Sequence, residues 1–163
     1  MYYYYFNEKI NVNSVNNLIT ILSDKSKINL WFSTTGGDPG AMKFLIAFLN
    51  TKDVTVTLTN RVLSAGTHIF TDFTGKLILD DSLDFIMFHV SDRESYSLRK
   101  DDWISDKELT KQDLKANEIF VKKLMRKNIL TDNQLKKFLS GRDVVLLQKD
   151  FKNWKLNHPV KKN

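Results

Sequence analysis

Two glycine-rich turns, each between an apolar strand-like run and a helical run, most constrain how this chain can fold. Ser33-Thr-Thr-Gly-Gly-Asp-Pro-Gly40 ends the apolar run Ile28–Ser33, and Arg61-Val-Leu-Ser-Ala-Gly66 follows the β-branched run Val54–Leu58. Glycine loses backbone entropy on folding, so it is favoured where φ is positive or where a ligand approaches the backbone. These turns hold four of the six glycines, Gly36, Gly37, Gly40 and Gly66.

The first half of the chain alternates strand-like and helix-like segments, which predicts an α/β fold with crossover connections and a mostly parallel sheet. Ligands of such sheets bind beyond the carboxyl ends of the strands, where both glycine turns lie. Strands are predicted at 2–6, Ile28–Ser33, Val54–Leu58, Lys76–Leu79 and Asp84–Val90. Helices are predicted at Val15–Leu22, Gly40–Leu49 and Ser64–Phe73.

The second half begins with a polar, irregular stretch and continues mainly as helix. A long helix is predicted over Asp106–Asn128, and a second one begins at the cap-like Thr131 and ends at Gly141. A short apolar run at Val144–Leu147, a final helix at Asp150–Leu156 and a flexible tail at 157–163 complete the chain. We expect one domain, because 163 residues can bury a sizeable core.

Composition narrows the possible partners and locations. The chain has no cysteine, which excludes disulfides and thiolate chemistry. No apolar run reaches the ~18–20 residues that cross a bilayer, and the N-terminus lacks a signal-peptide pattern, so we expect a cytoplasmic location. The net charge of +6 comes mainly from lysines at helical spacing in the second half. This pattern favours a solvated helix face over a nucleic-acid surface.

Ser64 is a candidate nucleophile because it lies in the second glycine turn, at the start of a predicted helix. A serine hydroxyl needs a base that removes its proton and amides that stabilise the resulting oxyanion. The amides of Ala65 and Gly37 are the candidates for that oxyanion hole. Taken by itself, Ser64 also fits a helix N-cap, which is a common structural role for serine.

His89 is the candidate base, since it ends the apolar run Asp84–Val90 and would face a serine at a helix start. A hydrogen-bonded core histidine is the structural alternative. His68 lies four residues after Ser64 on the same helix and is interpreted as structural. A carboxylate would orient the base; Asp143 is a weak candidate, because it follows a helix end and precedes an apolar run.

Taken together, these segments resemble the proteolytic subunit of the Clp protease (ClpP), in the ClpP/crotonase superfamily. Ser33-Thr-Thr-Gly36-Gly37 is similar to the family's Ser-Pro-Gly-Gly, and Asn60-Arg-Val-Leu-Ser64-Ala-Gly66 to its Gly-x-Ala-Ser-Met-Gly. Met87-Phe-His89 is similar to Met-Ile-His, and Arg142-Asp143 to the family's Arg-Asp pair. The resemblance spans nearly the whole chain, with the three candidate residues in the order Ser, His, Asp.

The resemblance implies a fold of repeated ββα-type units with a protruding handle helix, here 106–128. It also implies a serine peptidase that needs no cofactor or metal and forms a homo-oligomeric ring, stacked in pairs in the family. Ser64 would be the nucleophile, His89 the base and Asp143 the orienting carboxylate, with the oxyanion bound by Gly37 and Ala65. An extended peptide or unfolded polypeptide would pair with backbone at Gly36, Asp38, Pro39, Val90 and Ser91.

Departures from the family pattern leave several alternatives open. The short connection Ser23–Lys27 trims the surface on which family members bind a Clp-type ATPase, and Asp92–Leu98 replaces a glycine-rich segment. A lysine base, Lys76 or Lys100, would suit a different class of serine hydrolase. The main alternative is a degenerate ClpP-like subunit with an assembly or scaffold role. A crotonase-type acyl-CoA enzyme also stabilises an oxyanion with backbone amides, but it needs a longer chain.

Overall fold

The computed structural model describes residues 1–89, 106–140, 142–151 and 154. The chain divides into two compact units. The first unit contains Met1–Met87 and the chain from Val145 onward, and the second contains Phe88–Val144.

A six-stranded sheet forms the framework, and every strand pair whose direction is defined is parallel. The strand order is β1-β2-β3-β5-β6, and β4 pairs with β3 off this path. This arrangement confirms the prediction of an α/β fold with a mostly parallel sheet. The strands are β1 (Tyr2–Asn7), β2 (Lys27–Thr34), β3 (Asp53–Leu63), β4 (Lys76–Leu79), β5 (Phe85–Phe88) and β6 (Val144–Leu147).

The helices fall between the strands, as the alternation predicts. They are α1 (Val12–Leu22), α2 (Pro39–Leu49), a 3-10 turn (Ser64–Thr67), α3 (His68–Asp72), α4 (Asp106–Arg126), α5 (Asp132–Leu139) and α6 (Gln148–Phe151). Alternate residues of β2 and β3 are fully buried, because they point to the core of the first unit. The helical part of that core includes Val15, Leu18, Leu22, Met42, Leu45 and Leu49.

Strand β3 is longer than predicted, because it continues past Leu58 to Leu63. Asn60 has a φ of 51°, a left-handed conformation that asparagine adopts more readily than most residues, and the backbone bends there. Before the bend β3 pairs with β4, and after it Leu63 pairs with Met87 of β5. The predicted strand Val54–Leu58 therefore corresponds to only the first half of β3.

The turn between β4 and β5 closes over this bend. The Asn60 N–H donates to the Ser82 carbonyl at 3.1 Å, and the Asp84 N–H donates to the Asn60 carbonyl at 2.7 Å. The Ser82 hydroxyl and amide both donate to Asp80 Oδ1, and they hold the pKa of Asp80 below its ordinary value. These bonds stabilise the turn while Asp80 is ionised, so their contribution is lost as the pH falls through that lowered pKa.

Other element boundaries also differ from the predictions for local reasons. Helix α1 begins at Val12 instead of Val15, because Asn11 caps it. The predicted helix Ser64–Phe73 is a 3-10 turn followed by the short helix α3, which ends at Asp72. The described part of the last helix is Gln148–Phe151, which begins two residues before the predicted start at Asp150, and residues 152, 153, 155 and 156 of the predicted helix lie outside the described residues. The tail at 157–163 and Gly141 lie outside the described residues.

The second unit is built on two helices. Thr131 is the N-cap of helix α5, as predicted. It forms a capping box with Gln134, in which each side chain accepts a hydrogen bond from the other residue's backbone amide. The Phe120 ring of α4 lies 6.3 Å from Phe88 and 6.0 Å from Phe138 of α5, measured between ring centroids. These rings form the aromatic centre of the unit.

None of the described helices combines the length and the apolar character that crossing a bilayer requires.

Replacing Asn11 by Ala is expected to destabilise the fold by about 1 kcal/mol, because it removes a helix cap. Asn11 Oδ1 accepts from the Ser14 amide at 2.9 Å, and Ser14 Oγ accepts from the Asn11 amide at 3.1 Å. Urea unfolding measures the change. Asn17→Ala, at an exposed position within the same helix, is the control and should cost nothing. Equal effects of the two substitutions would contradict the capping role.

Candidate active site

Ser64 directly follows β3 as the first residue of the 3-10 turn, with a φ of 51°. A left-handed backbone at a residue other than glycine costs free energy and is concentrated at functional sites. In α/β-hydrolases, a sharp strand-to-helix turn of this kind exposes the nucleophilic serine. The side chain is half-buried. Its Oγ makes no hydrogen bond to the described residues of the first unit.

The structure excludes the alternative of Ser64 as a helix N-cap. The capping position belongs to Leu63, and no side chain caps the 3-10 turn. Ser64 is instead the first residue of that turn, so the amide of Ala65 lies in the first turn of a helical segment. Amides there have no partner within the helix.

The first glycine turn packs directly against Ser64. A Cβ at Gly36 would lie 2.7 Å from Ser64 Cβ and 3.3 Å from Ser64 Oγ, so only glycine fits at this position. Gly36 also has a φ of 91°, in the left-handed region. The structure thus brings together the two turns that the sequence predicted to form one site.

Ile10 holds the glycine turn in place through two backbone hydrogen bonds. Its N–H donates to the Gly36 carbonyl at 2.8 Å, and its carbonyl accepts from the Asp38 N–H at 2.9 Å. Because these bonds flank Gly37, the N–H and carbonyl of Gly37 point away from Ile10. Neither group of Gly37 is hydrogen-bonded to any described residue. A free amide therefore lies one residue from the contact with Ser64.

Thr34 links both turns to the segment before α1. Its hydroxyl donates to the Glu8 carbonyl at 2.8 Å and accepts from the Gly36 N–H at 3.0 Å. Its methyl carbon would be 2.4 Å from a Cβ at Gly66, so the helical segment after Ser64 rests on Thr34. The relative position of the two turns is thus fixed by buried contacts.

Asp38 and Pro39 begin helix α2 and have structural roles there. The Asp38 side chain accepts from the Gly40 and Ala41 amides at 2.7 and 3.1 Å, and Pro39 is at the first helical position. The Asp38 N–H is already bonded to Ile10, and proline has no N–H. The free backbone groups of this segment are those of Gly37. The positive end of the α2 dipole lies at the same turn.

The second unit contains the other two predicted catalytic residues, and it brings them together. His89 Nδ1 lies 3.9 Å from Asp143 Oδ1, an ion-pair distance longer than a hydrogen bond. The side chains are 31% and 57% exposed, so His89 is not a fully buried core histidine. The predicted peptide-binding residues Val90 and Ser91 lie outside the described residues.

The remaining candidates lie in less suitable places. Lys76 pairs with Thr55 in the first half of β3, eight residues before Leu63, which is on the order of 25 Å along a strand. It is therefore too far from Ser64 to act as its base, and Lys100 lies outside the described residues.

His68 Nδ1 is 3.6 Å from Asp72 Oδ2 on the same helix. Within the described residues, no group of three or more acidic or histidine side chains could hold a metal ion.

Sequence reasoning missed two residues that shape the site, Ile10 and Asn60. An isolated apolar residue carries no signal for a backbone contact 27 positions away, so Ile10 could not have been found. An asparagine within a β-type run is a signal for a left-handed bend, because its side chain tolerates positive φ. That signal would have indicated the bend at Asn60, within a strand that ends at Leu63.

Comparison with protein-family models and with curated proteins identifies no relative of this chain. No model of a protein family matches the chain, and no curated protein matches it.

A methyl group at Gly37 is expected to disrupt the site. A Cβ there would lie 2.0 Å from the Ile10 carbonyl oxygen, and the φ of 141° is strained for any other residue. Gly37→Ala should lower the free energy of unfolding by about 1–3 kcal/mol. The control is Gly40→Ala, whose Cβ would meet only the Asp38 side chain at 3.1 Å. Urea unfolding of both variants tests this, and a Gly37 variant as stable as the Gly40 variant would contradict it.

Proposed function

We propose that this chain is a serine peptidase of the ClpP type, with the fold of repeated ββα units that the family has. The observation that carries the proposal is the left-handed backbone of Ser64 at a strand-to-helix turn, pressed against the Gly36 backbone. A structural serine has no need of this costly conformation, whereas a nucleophile gains exposure from it.

The proposed oxyanion hole uses the amides of Gly37 and Ala65. Two features support it: the Gly37 N–H has no partner among the described residues, and Ala65 directly follows Ser64 in a helical first turn. Donors fixed before the reaction stabilise the developing negative charge without reorganising. Ile10 and Thr34 supply that rigidity through the bonds that hold Gly36 and Asp38.

The proposed base is His89, oriented by Asp143. Their 3.9 Å separation supports the pair, because catalytic hydrogen bonds are often long before substrate binds. Within the first unit, Leu63, just before Ser64, pairs with Met87, and His89 follows Met87 by two residues in the sequence.

In the proposed reaction, Ser64 Oγ attacks the carbonyl carbon of a peptide bond while His89 takes the hydroxyl proton. His89 then gives this proton to the leaving amine, which departs and leaves an acyl-enzyme. Water, deprotonated by His89, attacks the ester carbonyl and releases the second product and Ser64. No cofactor is required by these steps.

The proposed substrate is an extended peptide or an unfolded polypeptide. The outward N–H and carbonyl of Gly37 could pair with such a chain as an added strand. A homo-oligomeric ring, with α4 as the contact between stacked rings, belongs to the same proposal, as does a cytoplasmic location. A Clp-type ATPase is not part of it, because the connection before β2 is short.

A degenerate ClpP-like subunit with a scaffold role is the second candidate. The observation that favours it is Asp143, which is 57% exposed and beyond hydrogen-bond distance of His89. In this case Ser64 would not be activated, and the experiments below separate the two.

Treatment with a fluorophosphonate probe is expected to add one adduct per chain, on Ser64. Ser64→Ala should abolish the adduct because it removes the nucleophilic oxygen, and its melting temperature should stay near that of the unchanged chain. Ser23→Ala, at an exposed serine that follows α1, is the matched control and should label fully. Intact-mass analysis reads the result. A folded chain without any adduct would favour the degenerate subunit.

Asp143→Asn is expected to lower kcat for peptide hydrolysis by roughly 10²–10⁴-fold, as losing an orienting carboxylate does in other triads. The control is Asp132→Asn, an exposed carboxylate in the first turn of α5 that should not affect kcat. Initial rates on a peptide substrate measure both. A nearly unchanged rate for Asp143→Asn would remove Asp143 from the triad.

A further inference from the structure

Among the described residues, strand β1 has an edge that lacks the usual protection. It is the first strand of the sheet order and pairs only with β2 among the described residues. The free edge of a strand offers unpaired N–H and carbonyl groups, which proteins usually guard with lysine, proline, a bulge or a covering segment. Tyr2–Asn7 contains no charged residue and no proline, and its register with β2 is unbroken over all six residues.

The side chains at this edge are large and exposed. Tyr3 and Tyr5 are 58% and 70% exposed, although both are aromatic. The Tyr5 ring lies 5.4 Å from that of Trp31 on β2, and the Trp31 side chain is half-buried. A cluster of exposed aromatic rings beside an unpaired strand is typical of an interaction surface.

The strand is also complementary to itself. Its five aromatic residues, from Tyr2 to Phe6, are arranged symmetrically about Tyr4. A two-fold axis at Tyr4 would make two copies antiparallel, with Tyr3 opposite Tyr5 and Tyr2 opposite Phe6 of the second copy. Aromatic pairs across antiparallel strands are stabilising, and two-fold symmetry brings the same patch of both copies together.

Charge favours a second copy as well. The chain carries a net charge of +6, so most of its surfaces repel another copy of the same chain. The segment Tyr2–Asn7 carries no charged side chain, and two such edges meet without like charges opposite each other. We propose that β1 pairs antiparallel with β1 of a second copy, about an axis at Tyr4, and joins two sheets into one. This inference does not depend on the proposed peptidase activity.

Cysteine cross-linking tests the proposed register, because the chain has no cysteine of its own. In Tyr4→Cys the two thiols would face each other, since paired antiparallel residues have Cα atoms about 4.5–5.5 Å apart, within disulfide range. In Tyr2→Cys, which is also half-buried, the two positions would be offset by roughly 13 Å along the strands. We expect disulfide-linked dimers of Tyr4→Cys alone under mild oxidation. No dimers, or equal amounts from both variants, would overturn the proposal.

Light scattering tests the interface in the chain without cysteine. The double variant Tyr3→Lys with Tyr5→Lys places like charges across the axis, so the mass should fall to half that of the unchanged chain. Phe44→Lys is the matched control, because Phe44 is also 58% exposed but lies on α2, and its mass should not change. A 19.0 kDa monomer for the unchanged chain at high micromolar concentration, or an unchanged mass of a folded double variant, would overturn the proposal.

Discussion

The close packing of two glycine backbones is the constraint on which the candidate site depends. Gly36 leaves no space for a side chain beside Ser64, and Gly37 leaves none beside the Ile10 carbonyl. Both approaches need glycine, and the backbone bonds of Ile10 then fix the turn. One tight turn therefore sets the place of the serine, the direction of the Gly37 amide and the start of helix α2. The site is a product of backbone geometry more than of side-chain chemistry.

Much of the framework could be predicted from periodicity, because the strands and helices of the first half differ clearly in spacing. The errors occurred at element boundaries: β3 continues past Leu58 through the left-handed Asn60, and the predicted helix from Ser64 is a 3-10 turn followed by α3. Helix α1 begins before the apolar spacing at Val15, because Asn11, in the segment Asn11–Asn13 that suits a cap, forms a capping box with Ser14.

The residues of the candidate site could be predicted from the sequence, but the contacts that hold them in place could not. The glycine turns and Ser64 could be placed together because parallel strands present their carboxyl ends at one edge. The bracing by Ile10 and Thr34 joins residues distant in the chain, and no local pattern records it. Asp143 Oδ1 lies 3.9 Å from His89 Nδ1, whereas the sequence pattern offered only a weak reason to prefer Asp143 to other carboxylates, namely its place between a helix end and an apolar run.

The bend of β3 at Asn60 makes this one strand the partner of three others. β3 pairs with β2 on one side and, on the other, first with β4 and then with β5. Most of the pairing in the sheet therefore depends on a single strand of 11 residues. Because Ser64 directly follows β3, its position depends on all three pairings, and a substitution that disturbs any one of them would also displace this serine.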